Sequence, residues 1–407
     1  MIRLLSALGA LFIAQFLSAF ADNMILFIAQ AIIRRDAYPD YYLPFVQSTF
    51  LASYILLSPW VGRFADKRPK VEVLITGNLV KTAGVAMLVV GFDPALSYAV
   101  VGVGAVIYSP AKYGILPLLT QSEDELLKAN SGLESYTILA ILAGSVAGGM
   151  LSDLSIPLAL AVCGIIYGAS MGINLFIPRD AGNPSIDYRN AISDFVADTA
   201  ALLKHPRSHY SLVGTGSFWM ASAVLRLIIF AWAPLVLGIT SGTTISIIIA
   251  VTGVGVAVGA AVTPILISIR TLRRTIWYGL AMGLCILAFV KIGNLTAAIA
   301  LLLLVGVLGG IYIVPMNACL QQVGHNTIGA GKTIAVQNFL ENTFMFLGVG
   351  IYTLAAKAGA GIALCIGATG ISHLGIVGYL LAYSRLKKGY RDCQLFSLAN
   401  GAAEKVD

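Results

Sequence analysis

The chain contains few charged residues for its length. Only 11% of its 407 residues are Asp, Glu, Lys or Arg, whereas 58% are hydrophobic. A soluble domain usually carries about a quarter charged residues, so this shortage excludes an ordinary soluble protein. Most of the surface must therefore face something less polar than water.

The patterns of cysteine and histidine that signal metal sites or catalysis are also missing. The five cysteines are scattered, and none belongs to a CxxC pair, so we predict neither a zinc site nor a disulfide framework. None of the four histidines has an Asp five positions later, which excludes the His-x4-Asp pair of membrane acyltransferases. We predict a protein that is not an enzyme and holds no metal.

The sequence contains many long runs of apolar residues. A bilayer core needs about 20 apolar residues per helix, and twelve runs approach or exceed this length. We therefore predict an all-α membrane protein with twelve transmembrane helices. The runs fall near residues 4–33, 43–62, 72–92, 95–117, 130–151, 156–178, 211–238, 243–268, 275–292, 296–319, 333–356 and 360–384.

The basic residues are concentrated on one side of this predicted topology. Nineteen of the 26 Lys and Arg residues lie at the termini or in loops after even-numbered helices. Cytoplasmic loops carry such an excess, so we predict a multi-pass protein of the bacterial inner membrane with both termini cytoplasmic. This topology also explains the net charge of +7 without a nucleic-acid partner.

The two halves of the chain resemble each other. The fourth run contains VGVGAVIYSP (101–110) and the tenth contains VGVLGGIYIVP (305–315), about half a chain length apart. Two six-helix halves related by duplication are typical of the major facilitator fold. We predict an N-terminal half at 1–178 and a C-terminal half at 211–384. They are joined by a cytoplasmic linker at 179–210, which has the periodicity of a short amphipathic helix on the membrane surface, and followed by a tail at 385–407.

The loop after the second run reads GRFADKRPK (62–70). It resembles the major facilitator motif at this place, with Pro69 where that family usually has glycine. An ordinary positively charged cytoplasmic loop is the alternative. The resemblance implies a gating role for Gly62, Asp66 and Lys67.

Several ionisable residues lie inside predicted spans, where an unpaired charge is costly. Asp22 in the first run and Arg226 in the seventh occupy equivalent positions of the two halves. We expect them to face each other across a central cavity with opposite charges on its walls; a structural ion pair between two helices is the alternative. Lys81 is expected to pair with a carboxylate of its own half.

Further polar residues extend this candidate site. Lys112 follows Pro110 near the cytoplasmic end of the fourth run, although a lysine at this depth can also extend to the interface. Gln337, Asn338 and Glu341 share one face of the eleventh run at helical spacing. The candidate substrate-binding residues are Arg226, Asp22, Asn23, Lys112, Glu341 and Asn338.

Glycines are frequent in the fifth and eighth runs, which pack against each other in a facilitator fold. Glycines four residues apart (GxxxG) usually indicate close packing between two membrane helices. A glycine-rich seam between these helices would also allow lateral opening, which is relevant for a lipid substrate. The glycines concerned are Gly144, Gly148, Gly149, Gly253, Gly255 and Gly259.

Five segments together resemble the bacterial lysophospholipid transporters of the major facilitator superfamily. The resemblance extends from the first to the eleventh run. Two departures are Ala21, where glycine is expected before Asp22, and a basic tail that is longer than typical. The segments are AQFLSAFADN, YSPAKYGIL, ANSGLESYTILAILAGSVAGG, GGIYIVPMNACLQ and AVQNFLEN.

The resemblance implies inward movement of lysophosphatidylethanolamine and lysophosphatidylglycerol, followed by reacylation by a partner acyltransferase on the cytoplasmic side. Arg226 would bind the phosphate, since guanidinium binds phosphate bidentately. Asp22 would face an ammonium group or, with Asn23, hold a coupling cation (sodium or a proton). Lys112 would receive the phosphate at a later stage.

Two other functions are compatible with the sequence. One is a proton-coupled exporter of drugs or other amphiphilic compounds, in which Asp22, Glu134 and Glu341 carry protons. The other is a transporter-like sensor without flux.

Overall fold

The computed structural model describes residues 6–39, 41–120, 123–267, 269–325, 327–328 and 330–386. Residues 387–407, which make up nearly all of the predicted tail, lie outside this part of the chain. The secondary structure of the described residues is helical. The α-helices are α1 (Ala7–Arg35), α2 (Tyr42–Lys67), α3 (Lys70–Val89), α4 (Pro94–Gly114), α5 (Leu116–Leu119), α6 (Glu123–Leu154), α7 (Ile156–Asn174), α8 (Ala191–Lys204), α9 (Pro206–Leu237), α10 (Gly242–Leu266), α11 (Thr275–Ala288), α12 (Leu295–His325), α13 (Ala330–Lys357) and α14 (Ile362–Leu386).

Each of the twelve predicted runs corresponds to one long helix. Among the described residues, eleven helices are long and apolar enough to cross a membrane. The remaining predicted run is α2, which has 26 residues but includes polar residues such as Gln47 and Ser53. These side chains are compatible with a spanning helix because α2 packs against α4 and α13.

Polar caps begin several helices after very short turns. The Asp93 side chain accepts hydrogen bonds from the backbone N–H groups of Ala95 and Leu96 at the start of α4. Ser155 caps α7 in the same way, one residue after α6 ends. Such side chains satisfy N–H groups that have no partner inside the helix, so successive helices can turn back at once.

Helices α1–α7 pack mainly among themselves, and so do α9–α14. The principal contacts between the two sets are α2 against α13 and α6 against α10. The cavity described below lies beside the second of these seams.

The predicted linker helix is present as α8, and it is fixed by the bundle. Arg63 of α2 pairs with Asp194, and Lys332 of α13 pairs with Asp198 at 3.0 Å. The Phe195 ring lies 5.2 Å from that of Phe339 in α13. The linker helix therefore contacts both sets of helices. Its apolar residues Ile192 and Val196 are exposed.

The glycines of the fifth and eighth spans have separate roles. A Cβ at Gly144 would lie 2.2 Å from the Phe20 carbonyl oxygen of α1, and one at Gly259 would lie 2.2 Å from the Val307 carbonyl oxygen of α12. Only part of the predicted glycine seam therefore faces the contact between α6 and α10. Gly149 is one of its members, since its Cβ would lie 2.6 Å from the Gly242 carbonyl oxygen.

Candidate functional site

A cavity of about 140 Å³ opens between α6, α9 and α10. It lies near the middle of each helix, at the depth where transporters place their substrate sites. Most of its wall is aliphatic or aromatic, including Leu142, Trp219 and Ile249. Its polar lining residues are Ser145, Ser222, Arg226 and Thr252.

Arg226 supplies the positive charge of this cavity. Its side chain is partly accessible, and it is the one ionisable residue in the described lining. Within the part of the chain that the structure describes, its guanidinium has no hydrogen bond or ion pair. A guanidinium in an apolar wall attracts an anionic group that matches its planar donors, such as phosphate or carboxylate.

Asp22 is held by two partners from its own half of the chain. The Lys81 Nζ atom lies 2.8 Å from Asp22 Oδ2, and the Tyr167 hydroxyl donates to Asp22 Oδ1 at 2.7 Å. Lys81 is only 1% exposed, so its charge is balanced inside the bundle. This arrangement confirms the prediction that Lys81 pairs with a carboxylate of its own half.

The structure brings Asp22 together with Lys81 rather than directly with Arg226. Tyr98 of α4, which is buried, lies near enough to experience the charges of both Asp22 and Arg226. Asp22 and Arg226, the two residues of equivalent position, are thus both near Tyr98.

A buried polar network continues from Lys81 and was not predicted. Lys81 also donates to the Ser18 hydroxyl at 2.8 Å, Ser18 donates to Asn78 at 2.7 Å, and Asn78 donates to Ser170 at 2.9 Å. Ser18 lies one helical turn before Asp22, and Asn78 lies three residues before Lys81. That spacing is the sequence signal that would have indicated a shared polar face.

Asn23, adjacent to Asp22, forms a local contact. Its side-chain amide donates to the Ala19 carbonyl oxygen at 2.8 Å in the same helix. This bond leaves the amide oxygen as the group through which Asn23 would contact a cation or a headgroup.

A second polar cluster lies on α13. The Gln337 amide donates to Glu341 Oε1 at 2.8 Å and to Asn317 Oδ1 of α12 at 2.9 Å. Asn338 donates to the Ser109 hydroxyl of α4 at 3.4 Å. This cluster joins α13 to α4 and α12, and its residues do not line the cavity around Arg226.

Lys112 lies on α4, close to this second cluster in sequence. It follows Ser109 by three residues, and its Nζ atom lies 4.9 Å from the centre of the Tyr113 ring. Lys112 is also absent from the lining of the Arg226 cavity. The predicted binding residues therefore do not form one site: Arg226 lines the cavity, Asp22 and Asn23 lie at the buried network, Asn338 and Glu341 belong to the α13 cluster, and Lys112 lies near the end of α4.

The predicted gating loop is fastened to the linker. Asp66 pairs with Lys70 at 2.6 Å, and its carbonyl oxygen accepts a hydrogen bond from the Asn183 backbone at 3.0 Å. The Lys67 Nζ atom donates to the Ile186 carbonyl oxygen at 3.0 Å. Around Gly62 a Cβ would have open space, so packing in this conformation does not require glycine there.

Comparison with known proteins agrees with this architecture. A family model described as Major Facilitator Superfamily matches residues 11–349. Two solved structures share the fold. A POT family transporter in complex with a thioalcohol-conjugated peptide has a TM-score of 0.72, 11% identity, and coverage of 93% of this chain and 96% of the other. The nucleoside transporter NupG has a TM-score of 0.70, 11% identity, and coverage of 94% and 100%.

Curated relatives are much more similar in sequence. The lysophospholipid transporter LplT of Serratia proteamaculans (strain 568) is 44% identical, covering 86% of this chain and 88% of the relative. LplT of Pectobacterium carotovorum is 44% identical over 88% of each chain. LplT of Escherichia coli O9:H4 is 42% identical, covering 86% and 89%. The chain therefore belongs to the major facilitator superfamily and, within it, to the family of bacterial lysophospholipid transporters.

Proposed function

We propose that this protein transports lysophospholipids, such as lysophosphatidylethanolamine and lysophosphatidylglycerol, across the membrane. The observation that carries the proposal is Arg226, the one ionisable residue in the described lining of a mostly apolar cavity at the middle of the bundle. Relatives that are 44% identical over most of their length carry the name lysophospholipid transporter, which supports the same substrate class.

The lining of the cavity complements the chemical groups of a phospholipid with a single acyl chain. The phosphate is the group that these headgroups share, and it matches the donors of the Arg226 guanidinium. The aliphatic wall, including Ile141 and Ile249, suits the beginning of an acyl chain. A strongly polar cargo such as a sugar would leave most of this wall in contact with polar groups, which is unfavourable.

The other candidate residues act at different stages in this proposal. Asp22 is 21% exposed on its side chain and would meet the ammonium of an ethanolamine headgroup. Lys112, with Asn338 and Glu341, would receive the phosphate at a later stage, closer to the end of the helix bundle where the chain begins and ends. Gly62, Asp66 and Lys67 would control this stage, the last two through their contacts with the linker.

We further propose that transport is inward across the bacterial inner membrane, with both termini cytoplasmic. The bias of Lys and Arg residues toward one side supports this orientation. Two six-helix halves at 1–178 and 211–384 would then move relative to each other around the cavity. An acyltransferase on the cytoplasmic side would consume the product. A coupling cation at Asp22 and Asn23 would have to compete with Lys81, which already lies 2.8 Å from Asp22.

The test is uptake of radiolabelled lysophosphatidylethanolamine by cells that lack their own uptake system. Arg226→Ala removes the proposed phosphate contact and should reduce uptake at least tenfold, because a charge-assisted bond is worth about 1.5–3 kcal/mol. Arg207→Ala is the matched control, since Arg207 lies at the start of the same helix α9, outside the cavity lining. Uptake by Arg226→Ala at the wild-type level would contradict the phosphate contact.

Transport measurements in the same cells distinguish this proposal from the alternative of a proton-coupled exporter. The exporter is supported by Glu341, a carboxyl group that is only 8% exposed inside a spanning helix. The side chain of Glu134, another of its three proposed proton carriers, lies outside the described residues. Protein-dependent efflux that needs a proton gradient, together with no uptake of lysolipid, would favour the exporter.

A further inference from the structure

Helices α6 and α10 meet along a seam that runs from the cavity to one end of the bundle. This end, where α6 finishes and α10 begins, is opposite the described chain ends and is called the distal face. Near the cavity, a Cβ at Gly253 would lie 2.4 Å from the Leu142 side chain. Two turns further out, a Cβ at Gly149 would lie 2.6 Å from the Gly242 carbonyl oxygen. The two helices are thus tightly packed up to the distal face.

Asp153, one turn beyond Gly149, closes the outer end of this seam. Its Oδ1 accepts a hydrogen bond from the Gly242 N–H at 3.0 Å, and its Oδ2 accepts one from the Thr243 N–H at 2.8 Å. The hydroxyls of Thr243 and Ser241 also donate to Oδ2, at 2.8 and 3.1 Å. One carboxylate of α6 therefore receives four hydrogen bonds from the start of α10.

These bonds form a helix cap supplied by a different helix. The first N–H groups of a helix have no partner within it, and negative charge is favourable at that end. Ser241 provides the local cap of α10, accepting a bond from the Thr244 N–H, but the N–H groups of Gly242 and Thr243 depend on Asp153. If α6 separated from α10 at this end, both N–H groups would lose Asp153 as their hydrogen-bond acceptor and would have to bond to water.

A second contact reinforces the same place. The Arg34 guanidinium at the end of α1 donates to the Thr240 carbonyl oxygen, just before α10, at 2.8 Å. Arg34 also attracts Asp153 electrostatically. Two residues from the first set of helices therefore hold the connection between α9 and α10.

We propose that Asp153 is the distal gate of the cavity: its cap on α10 keeps α6 against α10, and transport requires this cap to open. Polar contacts suit a gate between membrane helices, because apolar surfaces gain little by meeting each other in lipid. Under the orientation proposed above, the distal face is the outer one. The inference goes beyond the proposed function, since it holds for any cargo of the cavity.

The test measures access to the cavity from the distal face. A cysteine replaces Ser222, which lines the cavity, in a chain whose five native cysteines are changed to serine. A membrane-impermeant maleimide is added on the distal side, and the rate of labelling is recorded. Asp153→Ala should raise this rate by about 2- to 30-fold, since loss of a cap shifts the equilibrium between closed and open states by that factor.

Two further variants make the result specific. Asp153→Asn keeps an oxygen for the N–H groups but loses the charge, so its rate should lie between those of wild type and Asp153→Ala. Thr243→Val removes a hydroxyl partner from the opposite side of the seam and should raise the rate by a smaller factor. It also keeps the proposal testable if Asp153→Ala does not reach the membrane.

Asp36→Ala is the matched control. Asp36 is another aspartate of the distal face, and its ion pair is with the adjacent Arg35 at 2.7 Å, so its loss should leave the rate unchanged. Labelling of Asp153→Ala at the wild-type rate, or an equal increase in Asp36→Ala, would overturn the proposal. Absence of lysolipid uptake would instead overturn the proposed substrate, because labelling needs no substrate.

Discussion

Asp22 and Lys81 lie in different helices, α1 and α3, and each supplies the partner that the other needs in a low-dielectric interior. The sequence predicts that Lys81 requires a carboxylate of its own half, because an unpaired charge inside a span is costly. It does not predict that the carboxylate is Asp22, since the rotation of α1 about its axis decides which side chains meet. For the same reason the sequence does not predict the network through Ser18 and Asn78.

Removal of Lys81 should destabilise the protein more than removal of the whole pair. Lys81→Met leaves Asp22 without its counter-ion, and such a loss costs about 3–5 kcal/mol. The double variant Asp22→Asn, Lys81→Met leaves no charge unpaired and should recover most of that loss. The midpoint of thermal unfolding of the purified protein in detergent measures both effects.

Lys291→Met is the control for this series. Lys291 is exposed at the end of the 3-10 turn that follows α11, so its replacement should change the free energy of unfolding by no more than about 0.5 kcal/mol. A Lys81→Met protein as stable as the control would show that the ion pair does not stabilise the bundle.

Helix α10 shows how glycines on one helix serve different contacts. The sequence predicts a glycine-rich seam between the fifth and eighth spans. In the structure, Gly255 and Gly259 face α12 and Gly144 and Gly148 face α1. Of the six predicted glycines, only Gly149 and Gly253 serve the contact between α6 and α10. Glycine spacing thus predicts that a helix packs closely, but not against which neighbour, because one helix has several faces.

The contact between α10 and α12 should be sensitive to a single methyl group. A Cβ at Gly306 would lie 2.1 Å from the Thr252 carbonyl oxygen, and backbone atoms cannot move aside easily. Gly306→Ala should lower stability by about 1–3 kcal/mol, even though alanine favours the helix. Thermal unfolding in detergent measures the change.

Gly168→Ala is the matched substitution in α7. A Cβ there meets nothing within 4 Å, so only the helix preference of alanine remains, worth about 1 kcal/mol in favour of the folded state. The two alanine variants should therefore shift the unfolding midpoint in opposite directions. Equal shifts would contradict the close approach of α10 and α12.

At the scale of the whole molecule, the apolar runs predict the twelve long helices and most of their ends within a few residues. The least apolar of them, α2, is predicted by length and position more than by hydropathy. The place of the cavity was not predictable. Symmetry suggests that Asp22 and Arg226 face each other, but Lys81 and Tyr167 draw Asp22 toward α3 and α7, and Tyr98 lies near both. The described lining of the cavity includes Arg226 and residues of α6 and α10 but does not include Asp22.

The most direct test of this account compares two lipids of which only one has a headgroup with a phosphate. Binding of lysophosphatidylethanolamine and of monoacylglycerol with the same acyl chain is measured on the purified protein, for wild type and Arg226→Ala. Wild type should prefer the phospholipid at least tenfold, and the variant should lose that preference while still binding monoacylglycerol. An Arg226→Ala protein that keeps the full preference would contradict the assignment of the cavity as the phosphate site.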